Sequence, residues 1–483
     1  MNKPLTAMAA PSARAAIAAA CTALSAAVLS AVPLLAAPAQ AAAAEFRLPE
    51  FDTVTLPNGL TVYLMERHDV PLISVRAVVK AGAVNDGAQP GLANLTGDAL
   101  LLGTAAHNKA SIDQAFDYRG ARLAGGAGTE ASTVQANFAK ADTAALLPLF
   151  AEIVQQPNFD DAELAKLRAR KVNGIKQAKE APRNVVQTYY RAMLFGDRPY
   201  GSPASGTISS MAALKQGDVQ GYYQRYYRPD NAAIIVVGDF QKTAMRQQIE
   251  SLFGAWKASG PAPAAQDNGK VQATKARVLL VNKPDAIETT FLIGGAGIAR
   301  NDPDYVQLQV VNTVLGGRFT SWLNDELRVN SGLTYGANSQ FATLAQTGTF
   351  AISSFTALPK TEAALALAHK TYQRLWDKGI DAATLASAKA YVKGQFPPRY
   401  ETGEQLASLL GDMYANRVDR AQIDNFTRDV DSLTPEKAKA LVDQHFPRKQ
   451  LQTVLIGKAE AIRDIAKTYG EVSEIEISAD GFR

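Results

Sequence analysis

Residues 234–238 read IIVVG, an apolar run that ends in glycine, and a helical pattern that begins at Leu214 precedes it. The same arrangement occurs near the C-terminus, where a helical pattern begins at Leu433 and the run VLIG follows at residues 454–457 with the same spacing. Short apolar runs rich in Val and Ile are typical of buried strands. The two copies predict that one folding unit is used twice.

The starts of the two halves also correspond. Strand-like runs at residues 62–64 and 278–280 are each followed by a second β-rich run, Ser74–Val79 in the first half and Thr289–Ile293 in the second. Between the halves, residues 257–277 are rich in Pro, Ala, Gly and polar residues and show no apolar periodicity. This composition predicts a linker.

We therefore expect an N-terminal lobe at residues 46–256 and a homologous C-terminal lobe at residues 278–483. In each lobe alternating strands come first and long amphipathic helices follow, for example Asp161–Glu180 and Thr361–Lys378. This order predicts an α+β fold in which helices cover one face of a mostly antiparallel sheet. The two lobes would together form one half of a clamshell, with a cleft or chamber between lobes.

Residues 1–41 are predicted to be a signal peptide. Lys3 and Arg14 supply positive charge, residues 15–37 are almost entirely apolar, and residues 39–41 read AQA, a small-x-small pattern typical of signal peptidase sites. A membrane anchor is the alternative, but the run contains prolines and ends in a cleavage pattern. We expect export to the periplasm and no membrane insertion after signal removal.

Composition argues against several functional classes. The chain is 47% hydrophobic and 20% charged, with a formal net charge of +4, which is ordinary for a globular protein. No basic tract is present, so the sequence does not predict a nucleic-acid partner. The single cysteine, Cys21, lies in the predicted signal peptide. The mature chain would therefore have no disulfide, no thiolate zinc site and no cysteine nucleophile.

Four stretches resemble, in their order and spacing, the pitrilysin/insulinase-like family of zinc peptidases: residues 56–60, 91–104, 198–239 and 315–336. In that family a helix carries the motif His-x-x-Glu-His. Two imidazoles at i and i+4 lie on one helical face and bind one zinc ion, and the intervening glutamate activates the zinc-bound water. A glutamate from a later helix completes the ligand set.

In this sequence the frame of that motif is intact but its chemistry is absent. Asn94, Gly97 and Asp98 stand where the family has His, Glu and His, and Gly174 stands at the expected position of the later glutamate. An amide and a carboxylate make a poor metal site, and helix capping or solvation explains them more simply. None of the chain's 4 histidines is paired at metal spacing. We expect no metal in this chain.

The family's second functional element is retained in the C-terminal lobe. Residues 316–328 read as a glycine-rich turn leading into an amphipathic helix, and residues 332–336 read as a turn into a strand. In relatives, an arginine of this element binds a substrate carbonyl and a tyrosine stabilises the oxyanion. The resemblance assigns these roles to Arg328 and Tyr335. Complementation of the helix dipole and packing of a half-buried strand residue are the structural alternatives.

The resemblance also implies a division of labour between two chains. In a subset of bacterial relatives one subunit carries the zinc motif without the Arg/Tyr pair, and the other carries the pair without the zinc motif. This sequence matches the second kind. We expect a subunit that is inactive alone and that helps a zinc-bearing homologue cleave unfolded peptides. A free-standing pseudopeptidase that binds peptides or acts as a structural scaffold is the alternative.

Overall fold

A computed structural model describes residues 46–263, 268 and 271–483 of the chain. The predicted signal peptide, residues 1–41, lies outside the described residues, as does part of the predicted linker. Among the helices of the described ranges, none is both long enough and apolar enough to cross a bilayer.

The N-terminal half builds a six-stranded sheet. Its strands are β1 (Asp52–Thr55), β2 (Thr61–Glu66), β3 (Leu72–Val79), β4 (Arg122–Ala127), β5 (Ser132–Ala139) and β6 (Ala232–Gly238). Their order across the sheet is β1-β2-β6-β3-β5-β4. β2 and β6 are parallel, and every other pair of neighbours in this sheet is antiparallel.

The C-terminal half builds a second six-stranded sheet. Its strands are β7 (Arg277–Asn282), β8 (Glu288–Ala296), β9 (Ala337–Thr343), β10 (Gly348–Ala357), β11 (Gln452–Gly457) and β12 (Glu471–Glu476). Their order is β12-β7-β11-β8-β10-β9. The five strands β7-β11-β8-β10-β9 repeat the order of β2-β6-β3-β5-β4 in the first sheet. β11 is parallel to β7 and antiparallel to β8, as β6 is to β2 and β3. The predicted duplication and the α+β class are therefore confirmed.

Helices surround both sheets. Within the described residues the N-terminal half contributes α1 (Leu92–Ala99), α2 (Lys109–Asp117), α3 (Thr143–Gln155), α4 (Asp161–Glu180), α5 (Pro182–Phe195), α6 (Ile208–Ala213), α7 (Gln216–Tyr226) and α8 (Lys242–Phe253). The C-terminal half contributes α9 (Tyr305–Leu315), α10 (Trp322–Asn324), α11 (Thr361–Asp377), α12 (Ala382–Gln395), α13 (Gly403–Asn416), α14 (Arg420–Asp424), α15 (Phe426–Asp431), α16 (Pro435–His445) and α17 (Ala459–Lys467).

Each half lends one helix to the sheet of the other half. α5 packs on β8 and β11, and α13 packs on β3 and β6. The sheets are therefore covered on both faces, the second face by a helix of the other half. This explains why β6 is apolar throughout: Ile234 and Val236 join the core of the N-terminal half, whereas Ile235 and Val237 join the core that contains α13. The exchange makes residues Phe46–Arg483 one compact unit.

A buried polar contact also joins the halves. The carboxylate of Glu130, in the β4–β5 connection, accepts hydrogen bonds from the Tyr200 hydroxyl at 2.5 Å and from the backbone N–H of Ala345 at 2.9 Å. Tyr200 is fully buried, and Ala345 lies between β9 and β10. Burial raises the pKa of Glu130 above its usual value. Tyr200, part of a stretch that carries the family resemblance, thus serves the junction between the halves.

Candidate functional site

The helix that carries the degenerate zinc motif is α1, and a buried carboxylate fixes its start. Asp86 accepts hydrogen bonds from the backbone N–H groups of Gly91 and Ala93, each at 2.7 Å. Gly91 precedes the helix with φ 92°, a conformation that favours glycine. Burial raises the pKa of Asp86 to about 7, although the two N–H donors oppose the shift. The entry to the motif is therefore built as a helix start whether or not the motif binds metal.

A lysine occupies the space between the two positions where the family has histidines. Asn94 and Asp98 lie one turn apart on α1, and the ammonium of Lys171, on α4, reaches both. Its Nζ lies 2.6 Å from Asn94 Oδ1 and 2.5 Å from Asp98 Oδ2. The side chain of Lys171 is only 16% exposed. A positive charge is thus provided here by the chain itself.

Gly97, at the position of the family's general base, lies against the backbone of β4. A Cβ built on Gly97 would lie 2.7 Å from the carbonyl carbon of Gly126 and 2.8 Å from the nitrogen of Ala127. The Nδ2 group of Asn94 donates to the Ala127 carbonyl at 3.4 Å and ties the helix to the same strand. A glutamate at position 97 therefore has no room in this arrangement.

Gly174 lies on an exposed part of α4, one turn after Lys171, and a Cβ added there would meet nothing within 4 Å. The structure thus brings Asn94, Gly97 and Asp98 together with α4, but through Lys171 rather than through residue 174. Sequence reasoning missed Lys171, although its place one helical turn before Gly174 was the available signal. An amide, a carboxylate, an ammonium and no imidazole do not fit a zinc ion.

The predicted Arg/Tyr element forms an ordered turn after α10. A π-helical turn, Asp325–Asn330, continues α10, and the carbonyl of its buried residue Leu327 accepts hydrogen bonds from the N–H groups of Leu333 and Thr334. Asn324 Oδ1 accepts a hydrogen bond from the N–H of Ala337 at 3.1 Å. These contacts hold the backbone between α10 and β9 in one position.

Arg328 and Tyr335 project from that turn without polar partners among the described residues. The guanidinium of Arg328 lies 4.6 Å from the ring centroid of Phe319, a cation–π contact. Tyr335 is 82% exposed and Phe319 is 60% exposed. Hydrogen bonds within the turn therefore hold the backbone that carries the guanidinium of Arg328 and the phenol of Tyr335.

A cleft of about 460 Å³ lies beside this turn. It is lined by the turn at residues 316–319, by strands β9 and β10, and by Arg183 at the start of α5. Gly316 permits the close approach of the turn to β9, because a Cβ there would lie 2.3 Å from the backbone nitrogen of Ser339. The cleft and the Arg328/Tyr335 turn form the candidate functional site.

One histidine lies among carboxylates elsewhere in the C-terminal half. Among the described residues, Asp302, Asp304 and His445 offer ligand atoms within 4.8 Å of one another. His445 Nε2 is 2.9 Å from Asp304 Oδ2, so a hydrogen bond accounts for that orientation of the imidazole. Sequence spacing did not indicate the group, because His445 lies far along the chain from both aspartates.

Together these features define a class of protein, a duplicated, two-lobed α+β fold in which Lys171 is bonded to α1 and a turn after α10 carries Arg328 and Tyr335. Two family models match the chain, the insulinase model (peptidase family M16) at residues 61–208 and the M16 inactive-domain model at residues 213–392. The chain belongs to the insulinase-like M16 peptidase family.

Relatives and solved structures agree with that assignment. An uncharacterised zinc protease of Mycobacterium leprae is 26% identical over 83% of this chain and 90% of its own length. The crystal structure of a peptidase M16 inactive domain from Pseudomonas fluorescens has a TM-score of 0.79 and 26% identity, covering 84% of this chain and 98% of that one. A protease from Helicobacter pylori, at 20% identity and a TM-score of 0.77 over 85% of this chain and 100% of its own, shares the fold.

Proposed function

We propose that this protein is the zinc-less subunit of an exported heterodimeric metalloendopeptidase. It contributes Arg328 and Tyr335 to an active site whose zinc ion is held by a homologous partner subunit. Its substrates are unfolded peptides that bind in an extended conformation between the two chains.

The observation that carries this proposal is the state of the Arg328/Tyr335 turn. A tyrosine that only packs in a strand is half-buried, whereas Tyr335 is 82% exposed. An arginine that only complements a helix dipole is held near the last carbonyls, whereas the Arg328 side chain contacts the exposed ring of Phe319. An exposed phenol and a half-buried guanidinium, both without a polar partner among the described residues, are suited to binding groups that another chain brings to them.

The N-terminal half supports the same division of labour. The cation that its frame accommodates is the ammonium of Lys171, bonded to Asn94 and Asp98. No carboxylate stands at position 97 to act as a general base, and the strand β4 fills the space where one would lie. In this proposal the N-terminal half has no catalytic chemistry of its own.

The roles of the two residues follow from their chemistry. The guanidinium of Arg328 offers a fixed fork of donors to a substrate carbonyl. The hydroxyl of Tyr335 donates to the oxygen that becomes negative as water attacks that carbonyl. Such a donor, worth about 2.7–4 kcal/mol in comparable sites, acts only when the transition state forms.

Hydrolysis of an internally quenched peptide tests the proposal. The mature chain would be assayed alone and mixed with an exported homologue from the same genome that carries an intact His-x-x-Glu-His motif. We expect cleavage only in the mixture, and its loss on chelation of zinc. No cleavage in any combination, together with binding of peptides by the chain alone, would favour the pseudopeptidase scaffold instead.

Export is tested separately. Periplasmic and cytoplasmic fractions of cells that express the full chain would be compared, and the N-terminus of the periplasmic form would be sequenced. We expect a mature chain that begins shortly after the AQA pattern at residues 39–41. A chain that stays in the cytoplasm with its N-terminus intact would contradict the proposed location.

A further inference from the structure

The cleft beside the Arg/Tyr turn is continuous with the pair itself. Phe319, whose ring lies under the guanidinium of Arg328, forms one wall of the cleft. Gly336, the residue after Tyr335, lies in its floor, and a Cβ built on Gly336 would meet nothing within 4 Å. When Arg328 binds a carbonyl of a peptide, the neighbouring residue of that peptide therefore lies beside the cleft.

The charge of the cleft is positive. Two arginines, Arg183 and Arg318, are among its lining residues, and none of the lining residues is acidic. Arg183 lies flat on the ring of Phe355, 3.3 Å from its centroid, and its charge is matched by Glu288, whose Oε2 lies 2.7 Å from Arg183 Nη2. One arginine of the cleft therefore already has its counter-charge.

Arg318 has none. Its Nη1 donates to the hydroxyl of Ser387 at 2.9 Å, and no carboxylate of the described residues forms an ion pair with it. Apart from Arg183, the other polar residues that line the cleft are neutral, among them Asn338 and Ser353. An arginine held by a neutral hydroxyl at a cleft without acidic groups is suited to a carboxylate from a ligand.

We propose that this cleft is a specificity subsite for an acidic side chain, Asp or Glu, of the peptide substrate, and that Arg318 supplies the charge that selects it. The inference rests on the proposed function and names its substrate class. The aliphatic stem of the acidic residue packs between Phe319 and Phe355, while its carboxylate approaches Arg318. Ser387 is a positioning residue, because it holds the guanidinium through Nη1.

Matched peptides test the subsite. Quenched peptides that differ only by Glu or Gln, placed in turn on each side of the scissile bond, would be cleaved by the complete two-chain enzyme. A charge-assisted hydrogen bond predicts a kcat/KM ratio of Glu to Gln of roughly 10 to 100 at one position. Arg318→Met should lower that ratio to about 1, and Arg318→Glu should shift the preference toward Lys at the same position. Arg225→Met, at an exposed arginine of α7, is the control for a change in net charge and should leave the ratio unchanged.

Binding to the chain alone separates the two proposals. Fluorescence anisotropy with labelled Glu and Gln peptides requires no partner and no cleavage. A tighter Kd for the Glu peptide that is lost in Arg318→Met supports the subsite even where no mixture cleaves, which is the outcome that defeats the proposed function. The subsite is refuted by cleavage or binding that shows no Glu preference, or by a preference that Arg318→Met leaves unchanged. Gly336→Val, which adds a side chain at a second lining residue, should also lower the preference.

Discussion

The connection from β3 to β4 and the connection from β8 to β9 occupy equivalent places in the two sheets. In the first, Asn94 and Asp98 are bonded to Lys171 of the same chain. In the second, Arg328 and Tyr335 have no polar partner among the described residues, and Tyr335 is 82% exposed. The polar groups of the first connection hold two helices together, whereas the side chains of Arg328 and Tyr335 in the second form no such bond among the described residues.

The difference lies in what the backbone supports. Behind Arg328 and Tyr335 the turn is fixed by buried groups, among them Leu327 and the side chain of Asn324. A fixed backbone lowers the conformational entropy that binding must overcome, so exposed donors can be effective without being buried. In the N-terminal half, by contrast, α1 packs on β4 without a gap at Gly97.

The largest expected effect concerns Tyr335, in the connection from β8 to β9. Tyr335→Phe should lower kcat/KM of the two-chain enzyme by about 100-fold or more, because it removes one donor to the oxyanion. Thermal stability should not change, since the hydroxyl has no partner within the chain. Tyr118→Phe, at a tyrosine that is 85% exposed in the N-terminal half, is the matched control and should leave activity intact.

Arg328→Lys completes that test. Lysine keeps the charge but loses the planar fork, so an activity loss that approaches that of Arg328→Met would indicate binding through the fork. Equal activity of wild type and Tyr335→Phe would remove Tyr335 from the active site and leave the turn with a packing role only.

The imidazole of His369, in the C-terminal half, gives the next largest expected effect, which is on stability. His369 stacks on Tyr469 with the ring centroids 4.6 Å apart, its Nε2 has no hydrogen-bond partner within the described chain, and burial lowers its pKa to about 4. The unfolded chain therefore binds this proton more tightly between about pH 6.5 and pH 4, so the stability that neutral His369 contributes is lost as pH falls through this range. We expect the free energy of unfolding to decrease by about 2 kcal/mol from pH 7.5 to pH 5 on this account.

Urea denaturation at a series of pH values measures that loss. His369→Phe keeps the stacking on Tyr469 and should flatten the dependence over the same range. A slope in His369→Phe equal to that of the wild type would mean that other groups carry the acid sensitivity.

The duplication could be predicted from the sequence because each strand is a continuous run with a distinctive end. The IIVVG run at residues 234–238 and its copy fixed both sheet centres, and the structure has them as β6 and β11. The exchange of α5 and α13 could not be predicted in this way. Amphipathic periodicity shows that a helix has a sheet to cover, but not which of two similar sheets it covers.

In the candidate site, too, some residues could be predicted from the sequence and others could not. Arg328 and Tyr335 were identified from the motif, and the structure places both in the segment between α10 and β9, with Arg328 half-buried and Tyr335 exposed. Lys171 was not identified, because a lysine on an amphipathic helix is usually solvated and its partners lie on a distant helix. The lack of room at Gly97 was likewise invisible, since it arises from the approach of β4 to α1.

Replacement of Lys171 tests the contact between its ammonium and the polar groups of α1. Lys171→Met leaves the Asp98 carboxylate, which is 33% exposed, without its ammonium partner. We expect a loss of about 1–2 kcal/mol in the free energy of unfolding, with activity of the two-chain enzyme within about twofold of wild type. Lys166→Met, at a lysine of the same helix that is 64% exposed, is the control and should cost less than about 0.5 kcal/mol.

A double-mutant cycle with Asp98→Asn isolates the pair. A coupling energy near zero would mean that Lys171 contributes through its aliphatic stem alone. Zinc content should be measured in the same variants and in Asp304→Asn, because Asp302, Asp304 and His445 offer a second group of ligand atoms. Zinc that binds to Asp304→Asn but not to Asp98→Asn would contradict our expectation that Asn94 and Asp98 hold no metal.

The smallest effects come from the two glycines at former motif positions, and they should have opposite signs. Gly174→Ala adds a methyl group to open space on an exposed helix, so it should raise the free energy of unfolding by about 0.5–1 kcal/mol. Gly97→Ala gains the same helix propensity but places its Cβ 2.7 Å from the Gly126 carbonyl carbon. The strain of overpacking, about 1–3 kcal/mol, should outweigh that gain and leave a net loss of about 1 kcal/mol. Stabilisation by both substitutions would show that β4 yields easily to a side chain at position 97. In that case Gly97→Glu would also fit. The N-terminal connection would then lack the residues of the zinc motif but still have room for them.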